Sequence, residues 1–124
     1  MAGGNILMFV EIKGTCRRKD LVEEYILNLA KKLGLSRRKT GEIIITFINR
    51  MTEKYSDVIG LCEGDRTEAL ITISKDQSYY EQMRTLAHEM VHAKQFMKGE
   101  YPSEMEAKRA EFDLFGRCYP WEKT

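Results

Sequence analysis

The sequence predicts an α+β domain, and three observations predict it. The first half alternates β-rich apolar runs with one amphipathic stripe. The second half carries helical periodicity throughout. The 124-residue chain is 43% apolar and 31% charged, enough to bury a core and too apolar and charge-balanced for a disordered chain. No internal repeat, low-complexity tract or Pro/Gly/Ser linker divides it, and both prolines (Pro102, Pro120) come late. Residues 1–124 therefore read as one domain.

The elements follow in the order β-α-β-β-β-α-α. Ile6–Ile12 is apolar and β-rich and is closed by Gly14, a strand. Residues 18–33 place Leu21, Val22, Tyr25, Ile26, Leu29, Ala30 and Leu33 on one helical stripe, and Gly34 sits where a C-cap glycine belongs. Ser36–Gly41 is a basic loop. Glu42–Met51 has a β-branched centre, Ile43-Ile44-Ile45-Thr46, and reads as a strand. Val58–Glu63 and Ala69–Ser74 form a hairpin around Gly64-Asp65-Arg66-Thr67. Asp76-Gln77-Ser78 offers N-caps for a helix to Lys98, whose inner side carries Met83, Leu86, Ala87, Met90, Val91 and Met97, and Gly99 ends it. Pro102-Ser103 opens a last helix to about Phe115, stopped by Gly116 and then Pro120.

Charge and cysteine usage exclude several classes. Twenty basic residues against nineteen acidic give a net charge of +1, whereas proteins that grip phosphate backbones carry a clear basic excess. The runs Arg17-Arg18-Lys19 and Arg37-Arg38-Lys39 therefore read as solvated loop charge. The apolar runs are too short for a bilayer or a signal peptide. Three widely spaced cysteines (Cys16, Cys62, Cys118) predict free thiols in a reducing compartment, hence a cytoplasmic protein.

The chemistry concentrates in Thr85-Leu86-Ala87-His88-Glu89-Met90-Val91-His92, which contains both histidines of the chain. Helical residues four apart lie about 40° apart around the axis and about 6 Å along it, so both imidazoles reach one ion from one face. Neutral imidazole is a preferred zinc ligand. Glu89, offset around the helix, can lie beside a zinc-polarised water and act as general base. The bland alternative is a surface histidine pair, but the flanking Leu86, Ala87, Met90 and Val91 point to a core-packed helix.

A zinc site needs a third protein ligand, and the next helix offers Glu104, Glu106, Glu111 and Asp113. At about 100° per residue, Ala107, Leu114, Phe115 and Cys118 fall within roughly 80° of Glu104, while Glu106 falls near 200°. Periodicity thus favours Glu104 facing inward as the ligand and Glu106 facing solvent, with Glu106 the alternative. Glu111 shares the inner face and can orient a ligand histidine through its other ring nitrogen. One of Tyr79, Tyr80, Tyr101 or Tyr119 could polarise an oxyanion, although half-buried aromatics at helix ends are the commoner role. Trp121 reads as a hydrophobic latch and the seven methionines as core filler.

At these residues the chain resembles the gluzincin class of zinc metallopeptidases. Thr85–Gln95 followed by Pro102-Ser103-Glu104-Met105-Glu106-Ala107 resembles compact SprT-like metallopeptidases of phages and bacteria, and Glu104-x-x-Ala107 resembles the glutamate helix of ImmA/IrrE-type peptidases. The resemblance covers residues 85–107 and is architectural before that. It implies a zincin-like domain with a small mixed sheet, an N-terminal helix, an active-site helix and a C-terminal glutamate helix. It also implies Zn2+ as cofactor, Glu104 as ligand, and an edge strand that holds peptide or protein substrate by strand addition, for which Ala69–Ser74 is the candidate. The chain departs from the pattern in lacking a third histidine, in a short interval from His92 to Glu104, and in having Lys108 where gluzincins often carry an acid. The rival class is a non-proteolytic zinc-binding or partner-docking module.

Overall fold

A computed structural model describes residues 9–35, 41–49 and 58–123. It shows a mixed α+β architecture: β1 (Phe9–Lys13), α1 (Lys19–Lys32), β2 (Glu42–Ile48), β3 (Gly60–Gly64), β4 (Glu68–Ser74), α2 (Tyr79–Met97), α3 (Glu104–Cys118) and a terminal 3-10 turn at Trp121–Lys123. The element order is the expected one. Residues 6–8, 36–40 and 50–51 of the expected strands and loop lie outside the described residues.

The four strands form one sheet in the order β1-β2-β4-β3. β1, β2 and β4 run parallel, and β3 pairs antiparallel with β4. The expected β3–β4 hairpin forms, and Asp65 fixes its turn by accepting from the Thr67 and Glu68 backbone N–H groups. One expectation is overturned: Ala69–Ser74 is not an edge. It is hydrogen-bonded on both sides, and the edges are β1 and β3. Its alternation, with Ala69, Ile71 and Ile73 buried, suits a central strand that is covered on one face.

Ile43, Ile45 and Phe47 of β2 align with Ala69, Ile71 and Ile73 of β4, and all six are buried beneath the helices. Val22, Tyr25, Ile26 and Leu29 of α1 and Met83, Leu86, Met90 and Met97 of α2 complete this core. The methionine reading holds for Met83, Met90 and Met97, but Met105 is exposed.

Helix ends follow local chemistry. Ser78 and Glu81 form a reciprocal capping box at the start of α2. At its end Gly99 (φ +69°) adopts the left-handed region, and the Glu100 and Gly99 N–H groups return to the carbonyls of Gln95 and Phe96. α3 starts at Ser103, whose Oγ accepts from the Glu106 N–H. It does not stop at Phe115 but continues through Gly116 to Cys118. Packing overrides the glycine: Leu114, Cys118 and Tyr119 are buried, and Asn28 of α1 donates to the Cys118 carbonyl. Trp121 packs on Tyr80, Phe115 and Tyr119 and donates to the Gly116 carbonyl, as a latch would.

Candidate metal centre

α2 and α3 bring His88, His92 and Glu104 together. Their ligand atoms lie within 4.8 Å of one another, the only such group among the described residues. His88 Nε2 is 2.6 Å from Glu104 Oε1, and His92 Nε2 is 3.0 Å from Glu104 Oε2. Both rings are half-buried, and the Glu104 carboxylate is largely exposed.

The other ring nitrogens define the chemistry. His92 Nδ1 lies 2.8 Å from Gln95 Oε1. That oxygen also accepts from the Ser103 N–H, while Gln95 Nε2 donates to the Ser103 carbonyl and to Glu106 Oε1. The fully buried amide is thereby fixed, and His92 Nδ1 must be the donor. His88 Nδ1 likewise faces an acceptor, Glu111 Oε1, at 2.9 Å. In neutral imidazoles both Nε2 atoms are then lone pairs aimed at a carboxylate. Three acceptors converging on one point require a proton or a cation between them. An N, N, O set of this kind fits zinc.

The electrostatics agree. Burial pulls the His88 pKa down, but the bond to Glu111 and the charges of Glu89 and Glu104 win, so it lies above its ordinary 6.5. Burial pushes Glu104 up, but His88 and His92 outweigh it and hold its carboxyl below the ordinary value. Glu89 is 7% exposed, and burial, opposed by both histidines, leaves its carboxyl above the ordinary value.

The inward Glu104 and outward Glu106 of the helical wheel need correcting. Glu104 reaches the histidines from an exposed position, and the Glu106 side chain, though 43% exposed, is not free in solvent: it bonds Lys94 Nζ at 2.6 Å and Gln95 Nε2 at 2.7 Å. Glu111 takes the predicted place on His88 and also pairs with Arg84 Nε at 3.1 Å. None of Tyr79, Tyr80, Tyr101 and Tyr119 is among the residues lining the cleft around the cluster. Tyr79 and Tyr119 instead bond each other at 2.9 Å.

Two residues escape sequence reasoning. Gln95 lies three after His92, but only the fold shows what fixes its amide. Gly60 opposes the centre from β3: a Cβ there would fall 2.5 Å from Thr85 Cγ2 and 3.1 Å from Glu89 Oε2. A glycine inside a strand signals such a close approach.

The cleft has two compartments along β3. One, of about 330 Å³, includes Ile59, Gly60, Arg84, Lys108 and Glu111. The other, of about 410 Å³, includes Leu61, Cys62, Phe96 and Pro102. Both reach His88, Glu89 and Glu104. Comparison with protein-family models, with curated proteins and with solved structures gave no match.

Proposed function

We propose that this chain is a small cytoplasmic zinc metallopeptidase of zincin-like, gluzincin type, with His88, His92 and Glu104 as ligands and Glu89 as general base. The carrying observation is the convergence of two imidazole lone pairs and one carboxylate whose orienting partners are already fixed. Three protein ligands leave a fourth position open, as catalytic zinc requires. The free thiols Cys16, Cys62 and Cys118 fit a reducing compartment.

When bound, zinc supplies an acidified water and a Lewis acid for the scissile carbonyl. The chain's own residues supply the rest. Glu89 takes a proton on its carboxylate and returns it to the leaving nitrogen, and burial among Gly60, Thr85 and Cys62 makes it a stronger base than an exposed glutamate. Glu111 and Gln95 hold the two imidazoles in the ligating tautomer. β3 offers the substrate edge. Ser74 N–H donates to the Ile59 carbonyl and Asp65 N–H to that of Glu68, so Ile59, Leu61 and Glu63 turn their backbone groups to β4. Gly60 and Cys62 turn theirs to the free edge beside the cleft.

The test is zinc per chain in wild type, Glu104→Ala, Glu106→Ala and Glu89→Gln, followed by cleavage of an unstructured protein. About one zinc is expected in wild type, lost in Glu104→Ala and retained in Glu89→Gln, with cleavage abolished in Glu89→Gln. Zinc loss in Glu106→Ala alone would move the third ligand. Zinc retention without any wild-type cleavage would leave the non-proteolytic module, and cleavage surviving in Glu89→Gln would remove the mechanism.

A further inference from the structure

Both compartments share Glu89 and Glu104; the first adds Arg84, Glu111 and Lys108, and since Arg84 pairs with Glu111, the added charge that stays uncompensated is that of Lys108. Glu104 is shared by His88 and His92, and Glu111 by His88 and Arg84. Arg84 further lies over the Phe112 ring, 4.8 Å from its centroid. Lys108, one turn beyond Glu104 and exposed, lines the same compartment with no acidic partner among the described residues. The other compartment is walled by Leu61, Phe96 and Pro102 beside the shared centre and has no Lys or Arg among its described lining residues.

Strand polarity orients a substrate across this difference. Val58 and Gly60 line both compartments, while Ile59 lines only the one that holds Lys108 and Leu61–Cys62 only the apolar one. Antiparallel pairing is the more stable arrangement. A peptide added antiparallel to β3 therefore runs from the apolar compartment, across the centre, to the cationic one. Its C-terminal side meets Lys108.

Resting on the peptidase reading above, we infer that Lys108, with Arg84 beside it, forms a carboxylate-binding subsite on the C-terminal side of the bond to be cut. The ligand is either the substrate's own terminal carboxylate or an acidic side chain, with an apolar residue preferred on the N-terminal side. An ion pair at a solvated cleft changes affinity by about 1.5- to fivefold and weakens with salt.

Fluorescent peptides bound to the zinc-supplemented Glu89→Gln chain test this, read by anisotropy. One pair ends in a free carboxylate or an amide close to the central residue. A second pair, amidated throughout, carries Glu or Gln there. The free-acid or Glu peptide is expected to bind about 1.5- to fivefold more tightly than its neutral twin, and the better pair identifies the carboxylate's source. Lys108→Ala should erase the preference, Lys108→Glu should invert it toward Lys, and Lys31→Ala, on the α1 surface, should leave it in place. Equal binding of both pairs, or a preference that survives Lys108→Ala, overturns the subsite. If wild type cleaves peptides without this preference, only the subsite fails. If the preference stands and wild type never cleaves, the peptidase reading fails and the carboxylate site remains.

Discussion

Glu89, the proposed base, sits in a space that one missing side chain creates. Gly60 leaves room where any Cβ would press on the Thr85 methyl and the Glu89 carboxylate. Gly60→Ala should therefore displace the base while leaving His88, His92 and Glu104 in place. The expected outcome is unchanged zinc content with kcat lowered roughly tenfold or more, measured by elemental analysis beside peptide hydrolysis. Normal turnover in that variant would show that the strand yields freely. The histidine pair and Glu104 were legible because 3.6-residue periodicity fixes which side chains share a face. The position of Glu106 was not, because a helical wheel treats α3 as an isolated cylinder. Lys94 and Gln95, contributed by α2, draw the Glu106 carboxylate back onto the protein.

At the scale of elements, local signals located the described strands and helices to within a few residues and failed where distant packing decides. Gly116 carries a strong stop signal, yet Leu114, Cys118 and the Trp121 latch keep the last turn of α3 wound. A Cβ at Gly116 meets nothing within 4 Å. Gly116→Ala should stabilise the protein by about 0.5–1 kcal/mol, seen as a raised Tm in thermal unfolding, and a lowered Tm would mean that the turn needs glycine. Strand order was the other gap. The hairpin of β3 and β4 follows from its turn residues, but which member lies outside depends on β2 pairing with β4, a long-range choice that no local pattern records.

For the molecule as a whole, pH and metal should pull in opposite directions. The folded state holds the His88 proton more tightly than the unfolded chain, its pKa being above 6.5. That stabilisation is complete below 6.5 and fades as pH rises through the raised value. Glu89, raised above 4.5, loses stability in the same direction, beginning as pH rises past 4.5. Glu104, lowered below 4.5, contributes stability that disappears only in more acidic solution. On the proposed reading zinc must displace the His88 proton, so its affinity should rise over the same range. The Tm of metal-free protein should fall from about pH 6 to about pH 8 while the increment from added zinc grows, both read by thermal shift. A zinc increment that shrinks as pH rises would remove His88 from the ligand set. The order of the elements has one more consequence. Among the described residues all four strands precede α2 and α3, which carry every proposed ligand and the proposed base. A chain leaving the ribosome completes the wall of its cleft before the first histidine emerges, so on the proposed reading a nascent chain has no means of cutting itself or its neighbours until its helical hairpin has been made.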